Sequence, residues 1–313
     1  MVAFCPSMRR RGTALALAAL LIPAGAGAQD GEGRGLRYEA SLDVPLTVVG
    51  LAGTIAPSLL TDSEGTWTCR WCDRDGAGND TLNGLDAATR RHLRWSHPEK
   101  AHGWSNVALA GSVVVPTAAF IAVRGGVSDG LGGETLLVLE SSAVALALTQ
   151  ATKYGFRRAR PWAHFGVLPA GEHLGSREGA LSFVSGHASL SFAFAVSTGS
   201  LASLRGDDGK AWVWAGGLTF AAASSYLRIA ADRHYLTDVL AGAALGATVG
   251  WVVPRLIDRK PAADATVESR ARERATPVPL LHVALAPGRT GTRLVVTGGV
   301  QGGGPFVSAT WRF

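Results

Sequence analysis

Apolar residues fall into six long runs: Leu46–Leu60, Asn106–Val123, Gly133–Ala151, Ala188–Leu204, Ala211–Ile229 and Val239–Ile257. Such runs, Ala-rich and studded with small residues, predict helices that pack closely on one another. Turn residues separate them, as in Arg-Gly-Gly-Val-Ser-Asp-Gly at 124–130 and Arg-Gly-Asp-Asp-Gly at 205–209. The first run is interrupted by Gly50, Gly53 and Pro57 and reads as a lead-in helix. Residues 61–102 are polar and rich in Asp, Asn, Gly, Arg and Trp, which predicts a loop with one short helix from Asp86 to Trp95. Gly242, Gly246 and Gly250 recur every fourth residue, a spacing that brings backbones together. Past Arg255 comes a charged linker, then Leu280–Leu285, Arg293–Thr297 and Phe306–Phe313 between Gly-rich turns. These read as a hairpin or meander, since three strands do not close a barrel. The predicted fold class is all-α, a bundle of about six helices with a short β-rich C-terminal tail. Its expected parts are a leader (1–28), a lead-in helix with a polar Cys-containing region (29–104), a helical core (105–258), a linker (259–279) and the tail (280–313).

The leader reads as a secretory signal: Arg9-Arg10-Arg11, an apolar stretch from Thr13 to Ile22, and small residues at Ala26-Gly27-Ala28. The competing reading is an N-terminal anchor, although the apolar stretch is short for a span. Cys5 precedes that stretch and would leave with the leader. Cys69 and Cys72 remain, and in an exported chain a local disulfide is the expected state. Composition changes little of this. Apolar residues make up 47% of the 313 and charged ones 17%, with a mean hydropathy of +0.18, apolar for a soluble protein but low for one mostly in lipid. A net charge of +6 suits anionic partners. No aromatic-interleaved basic strip or zinc-finger spacing argues for nucleic acid.

Three polar islands interrupt the apolar pattern. The first runs from Lys153 through six residues to Arg160-Pro161, the second is Ser185-Gly186-His187, and the third spaces Arg228, His234 and Asp238. Placed on one helix, His234 and Asp238 would share a face, the carboxylate holding one imidazole nitrogen and freeing the other as a nucleophile. Pro161 keeps Arg160 extended and aims it out of the preceding helix. Ser185 opens an apolar helix whose first N–H groups suit an anion, and Gly186 lets the backbone come close to it. The bland alternative is a set of polar helix ends.

Order and spacing of the three islands resemble the superfamily of type-2 phosphatidic acid phosphatases, bacterial class A acid phosphatases and vanadium haloperoxidases. Val184 and Leu227 depart from it, standing where the family usually has Pro and Ser. The resemblance, from Lys153 to Asp238, implies the family's helical core and a metal-independent phosphatase. Lys153, Arg160, Ser185, Gly186 and Arg228 would bind phosphate. His234, held by Asp238, would attack phosphorus, and His187 would protonate the leaving oxygen and then activate water. The implied substrate is a phosphorylated lipid or small phosphoester, acted on in the cell envelope on its periplasmic side; no cofactor is implied. One alternative is a haloperoxidase binding vanadate on His234, another a non-catalytic membrane scaffold. Arg157 and Arg158 read as solvated or on the rim of the site, His164 as a loop histidine within reach of a headgroup, and Asp232 and Arg233 as flanking groups. Asn79, Asp80, Asn83 and Asp86 read as turn formers rather than a calcium loop, since the EF-hand glycine and terminal glutamate are lacking. Membrane-embedded and membrane-associated arrangements both remain open.

Overall fold

A computed structural model describes residues 40–59, 67–127, 130–258, 281–284, 293–301 and 304–312. The leader and the linker 259–279 lie outside the described residues. Six long helices appear: α1 (Ala40–Leu59), α3 (Pro98–Val123), α4 (Leu131–Phe156), α6 (Gly186–Arg205), α7 (Lys210–Ala230) and α8 (Leu236–Asp258). Two short ones, α2 (Gly84–Leu93) and α5 (Pro161–His164), and a 3-10 turn at Glu178–Ala180 sit in the connections. The apolar runs mark each long helix, but the helices outrun them; α3 begins at Pro98, a residue suited to a first turn.

Small residues set the packing. A Cβ added at Gly242, Gly246 or Gly250 of α8 would fall within 3.0 Å of the carbonyl oxygens of Ser185, Ser189 and Ala193 on α6. The paired positions advance together, so α6 and α8 run parallel with their backbones in contact. Helix α1 likewise runs parallel to α4, with Gly50 against Ala143 and Gly53 against Ala147. Helices α3 and α7 are antiparallel, Ser224 Oγ donating to the Ser105 carbonyl at one end and Gly216 meeting Val115 further along. Buried hydroxyls of Ser141 and Ser142 return to the carbonyls of Leu137 and Val138, both at 2.8 Å, so these two are satisfied within their own helix. A cluster of Phe120, Leu137, Leu201 and Val213 closes one end. Near it Glu134 is buried and accepts from Arg124 at 2.5 Å and Arg205 at 2.7 Å.

The opposite end gathers the C-termini of α4 and α7 and the N-termini of α3, α6 and α8. All three polar islands therefore lie at one end of the bundle, and residues 67–97 belong to that end too, through contacts with 155–159 and 230–237. Helices α3, α4 and α8 are long and apolar enough to cross a membrane, α4 being the most enclosed of them. Large apolar side chains face outward on several helices, among them Val49, Val114, Leu240, Trp251 and Leu256.

In the C-terminal unit the backbone of strands β1 (Leu281–Ala284), β2 (Arg293–Gln301) and β3 (Gly304–Arg312) forms an antiparallel sheet in that order.

The α6–α8 contact yields a stability prediction. Gly246→Leu should cost on the order of 1–3 kcal/mol or more, read as a lowered unfolding midpoint in detergent. Gly103→Ala, where an added Cβ meets nothing within 4 Å, should change stability by no more than about 1 kcal/mol and in the stabilising direction.

Candidate active site

The first island is shaped by the end of α4. Arg157 takes a left-handed conformation (φ 47°, ψ 50°) and its N–H returns to the Lys153 carbonyl, which stops the helix. Residues 158–160 then run extended between two neighbours. Trp71 accepts from the Ala159 N–H at 3.0 Å on one side; on the other, Gly179 accepts from the Arg160 N–H at 2.8 Å. Arg160 itself is extended (φ −70°, ψ 154°), as expected of a residue before proline.

Its guanidinium is held at several points. Nε donates to the Glu178 carbonyl at 2.6 Å, Nη2 to the Glu178 carboxylate at 2.8 Å, and Nη1 to the Arg233 carbonyl at 2.9 Å. Arg160 also keeps the Glu178 carboxyl below its ordinary range. Nη1 lies 3.2 Å from His234 Nε2. A guanidinium only donates, so Nε2 carries the lone pair and the proton sits on Nδ1. Burial first, then Arg160, Lys153 and Arg228, hold the His234 pKa well below the ordinary 6.5. The ring is therefore neutral and nucleophilic at Nε2.

The reading of His234 and Asp238 on one helical face needs correction. His234 lies in the turn 231–235, ahead of α8, and only Asp238 is helical. Its Nδ1 is 3.8 Å from Asp238 Oδ2, too long for a hydrogen bond, and has no hydrogen-bond partner among the described residues. The physical reason is competition. As the third residue of α8, Asp238 reaches back to the Tyr235 N–H at 3.0 Å and also accepts from Ser182 Oγ at 2.6 Å. The carboxylate is beside the imidazole but is engaged elsewhere in the free site.

Ser185 caps α6, its Oγ facing the Ala188 N–H at 3.5 Å, while its own N–H donates to the Asp238 carbonyl at 2.9 Å. Its role in this geometry is to start the helix and tie it to α8. Helix geometry leaves the N–H groups of Gly186 and His187 without intrahelical acceptors. A Cβ on Gly186 would meet Thr149 at 3.7 Å and the Lys153 side chain at 3.9 Å, ordinary contacts, so no protein neighbour demands glycine there. The same distances place the lysine stem against the start of α6. Lys153 is buried and its Nζ donates to the Leu181 carbonyl at 2.6 Å. His187 Nε2 lies 2.9 Å from Asn106 Oδ1, and Arg228 Nη1 lies 2.8 Å from His102 Nδ1 and 3.3 Å from Ser105 Oγ.

Helix α3 thus supplies His102, Ser105 and Asn106 to the site, spaced three and one apart on a single helical turn. Sequence reasoning missed all three; the signal available was a polar stripe leading into the first residue of the second apolar run. Arg158 was misread. It is wholly buried rather than solvated, because three carboxylates and two aromatic rings enclose it. Arg157 is half-buried over Trp67. His164 is buried between the Cys72 carbonyl and Asp80, and so serves the loop fold rather than a headgroup. Asp232 anchors α2 through Arg90 at 2.7 Å and Arg94 at 3.1 Å. The Asp75 carboxylate gathers the N–H groups of Ala77 and Asn79, and Asn83 caps α2, so this acidic stretch makes turns. Cys69 and Cys72 are joined by a disulfide.

Residues 134–262 match the family described as the PAP2 superfamily. Among curated proteins, the lipid A 1-phosphatase of Porphyromonas gingivalis is 32% identical over 157 residues, covering 48% of this chain; the chain spans about a third (31%) of that relative's length. Among solved structures, a transmembrane PAP2-type phosphatidylglycerolphosphate phosphatase from Bacillus subtilis aligns with a TM-score of 0.43 and 18% identity, over 71% of this chain and 98% of its own. The family match, over residues 134–262, covers all three polar islands.

The neutral His234 gives a direct measurement. Long-range ¹⁵N spectra of histidine-labelled protein should show one ring protonated at Nδ1 alone throughout pH 7.5–5.5. Titration of that signal near pH 6.5 would contradict the enclosure described. The folded state binds this proton less readily than the unfolded chain, so stability should fall as pH drops below about 6.5.

Proposed function

We propose that the chain, whose residues 134–262 match the PAP2 superfamily, is a membrane-embedded, metal-independent phosphatase of lipid phosphates that works through a phosphohistidine at His234. The observation that carries this reading is the contact of Arg160 with Nε2 of a buried, neutral His234, with Lys153, Arg228 and His187 near enough to act on that ring. A phosphoryl group entering here meets three cations, and its transfer is chiefly a matter of positioning and charge stabilisation.

In the first half-reaction the Nε2 lone pair attacks phosphorus. The N–P bond forms as the bond to the leaving oxygen breaks, and that oxygen takes a proton from His187. The bound dianion offsets the field of Lys153, Arg160 and Arg228, which favours the imidazolium form needed for this donation. Loss of electron density makes Nδ1–H of His234 more acidic, and a small ring rotation brings it to Asp238 Oδ2; such bonds often tighten only when substrate is bound. In the second half-reaction His187 takes a proton from water, the water oxygen attacks phosphorus, and the N–P bond breaks to release phosphate.

The lipid class follows from surroundings rather than from the cation cage. Three helices have the length and apolarity of spans, outward-facing apolar side chains cover several helices, and the curated relative is named for a lipid phosphate. A lipid headgroup would reach a site at the end of the bundle while its chains stay in the bilayer. We place that end on the exported side of the membrane, because α8 ends at the opposite side of the core and the basic residues that follow it, Arg259 and Lys260, favour the cytoplasmic side.

The test is hydrolysis of a lipid-phosphate panel by detergent-solubilised full-length protein in EDTA. Activity should persist in EDTA, fall to vanadate, and drop by at least about 10⁴-fold in His234→Ala, as expected when a covalent nucleophile is lost. His187→Ala should lose about 10²–10⁴-fold and accumulate acid-labile phosphoenzyme. Halide oxidation dependent on added vanadate, without phosphate release, would replace this reading with the haloperoxidase one.

A further inference from the structure

Arg158 touches neither the cation cage nor His234 by hydrogen bond, yet it makes more directed contacts than its neighbours in the motif. Nη1 donates to Asp238 Oδ1 and to Thr237 Oγ1, each at 2.7 Å. Nε donates to Asp73 Oδ2 at 2.9 Å, and Nη2 to Asp86 Oδ2 at 2.9 Å. The guanidinium lies between the rings of Trp71 and Tyr235, 4.2 and 4.3 Å from their centroids. Burial opposes its charge, but Asp238, Asp73 and Asp86 outweigh that and keep it cationic.

Its acceptors come from different parts of the chain. Asp73 directly follows the Cys69–Cys72 disulfide, and Asp86 opens α2. Asp86 also accepts from the Thr237 N–H at 3.0 Å and hydroxyl at 2.7 Å, so it caps α8 from outside. Asp238 is divided between its two oxygens. Arg158 takes Oδ1, while Oδ2 serves Ser182 and the Tyr235 N–H and is the oxygen 3.8 Å from His234 Nδ1. With Oδ1 pinned, the carboxylate cannot turn, and Oδ2 stays directed toward the imidazole.

We propose that Arg158 is a positioning residue that fixes Asp238 against the nucleophile, and that Asp73 and Asp86 of the segment 67–93 hold Arg158 in place for this task. The segment then completes the catalytic geometry from a distance, without touching substrate. This rests on the phosphatase reading, and the test separates the two.

Asp73→Asn weakens the grip on Arg158 while leaving the cation cage and both histidines unaltered. It should lower kcat by roughly 10- to 100-fold with KM within about threefold of wild type, as expected for a misplaced catalytic group. A double-mutant cycle gives the sharper readout. In an Asp238→Asn background, where no oriented carboxylate remains, Asp73→Asn should change kcat by less than about twofold, while both backgrounds lose thermal stability on adding it. Rate losses that multiply in full would overturn the proposal, as would wild-type kcat in Asp73→Asn. Asp86→Asn serves as the second variant if Asp73→Asn does not fold, with the same outcomes. If the wild type hydrolyses no phosphate ester, the phosphatase reading fails, and the relay is judged by NMR alone. There Asp73→Asn should shift the His234 Nδ1 signal, and an unchanged signal overturns the relay.

Discussion

The end of the bundle that gathers the three polar islands depends on one buried ion cluster, Arg158 with Asp73, Asp86 and Asp238. Removing a guanidinium from water is costly, and this one is wholly enclosed. The cost is offset because each of its nitrogens finds an acceptor and both its faces meet an aromatic ring. Leaving any of the carboxylates behind without it would strand a buried negative charge. The cluster therefore acts as a register device: the polar segment, the end of α4 and the start of α8 can assemble in one relative position only.

A second cluster stands beside it with the opposite balance. Lys153, Arg160 and Arg228 crowd around His187 and His234, with Arg233 near His102 and with Glu178 and Glu172 as nearby anions. Lys153 and Arg160 are steadied by carbonyls, Arg228 by His102 and Ser105. Dipoles hold Lys153 and Arg228 without cancelling their charge, while Arg160 also pairs with the Glu178 carboxylate. Such a pocket is destabilising to the folded chain and most comfortable with an anion inside. Stability and function pull apart here, and the neighbouring carboxylate-rich cluster supplies the rigidity that the cationic one lacks.

Much of this was legible along the chain. The apolar runs located the six long helices, and the three islands fell together because alternating helix directions return the chain to one end. Pro161 and Ser185 did locally what their chemistry dictates. What could not be read was anything that depends on a long-range partner. Arg158 looks like any basic residue after a helix, and only three carboxylates, at 73, 86 and 238, make it a core group. The contributions of His102, Ser105 and Asn106 depend on how α3 is rotated against α7, which a nearly all-apolar helix does not declare. His234 and Asp238 show the reverse error: a spacing of four invites a helix, but the helix starts between them.

The direction of the first helix carries a further consequence. Because α1 runs parallel to α4, the described helical core begins at Ala40 and ends at Asp258 at the end opposite the three polar islands. An even count of traverses among the described helices places both of these residues on one face of the core, so neither of its ends stands beside the proposed site.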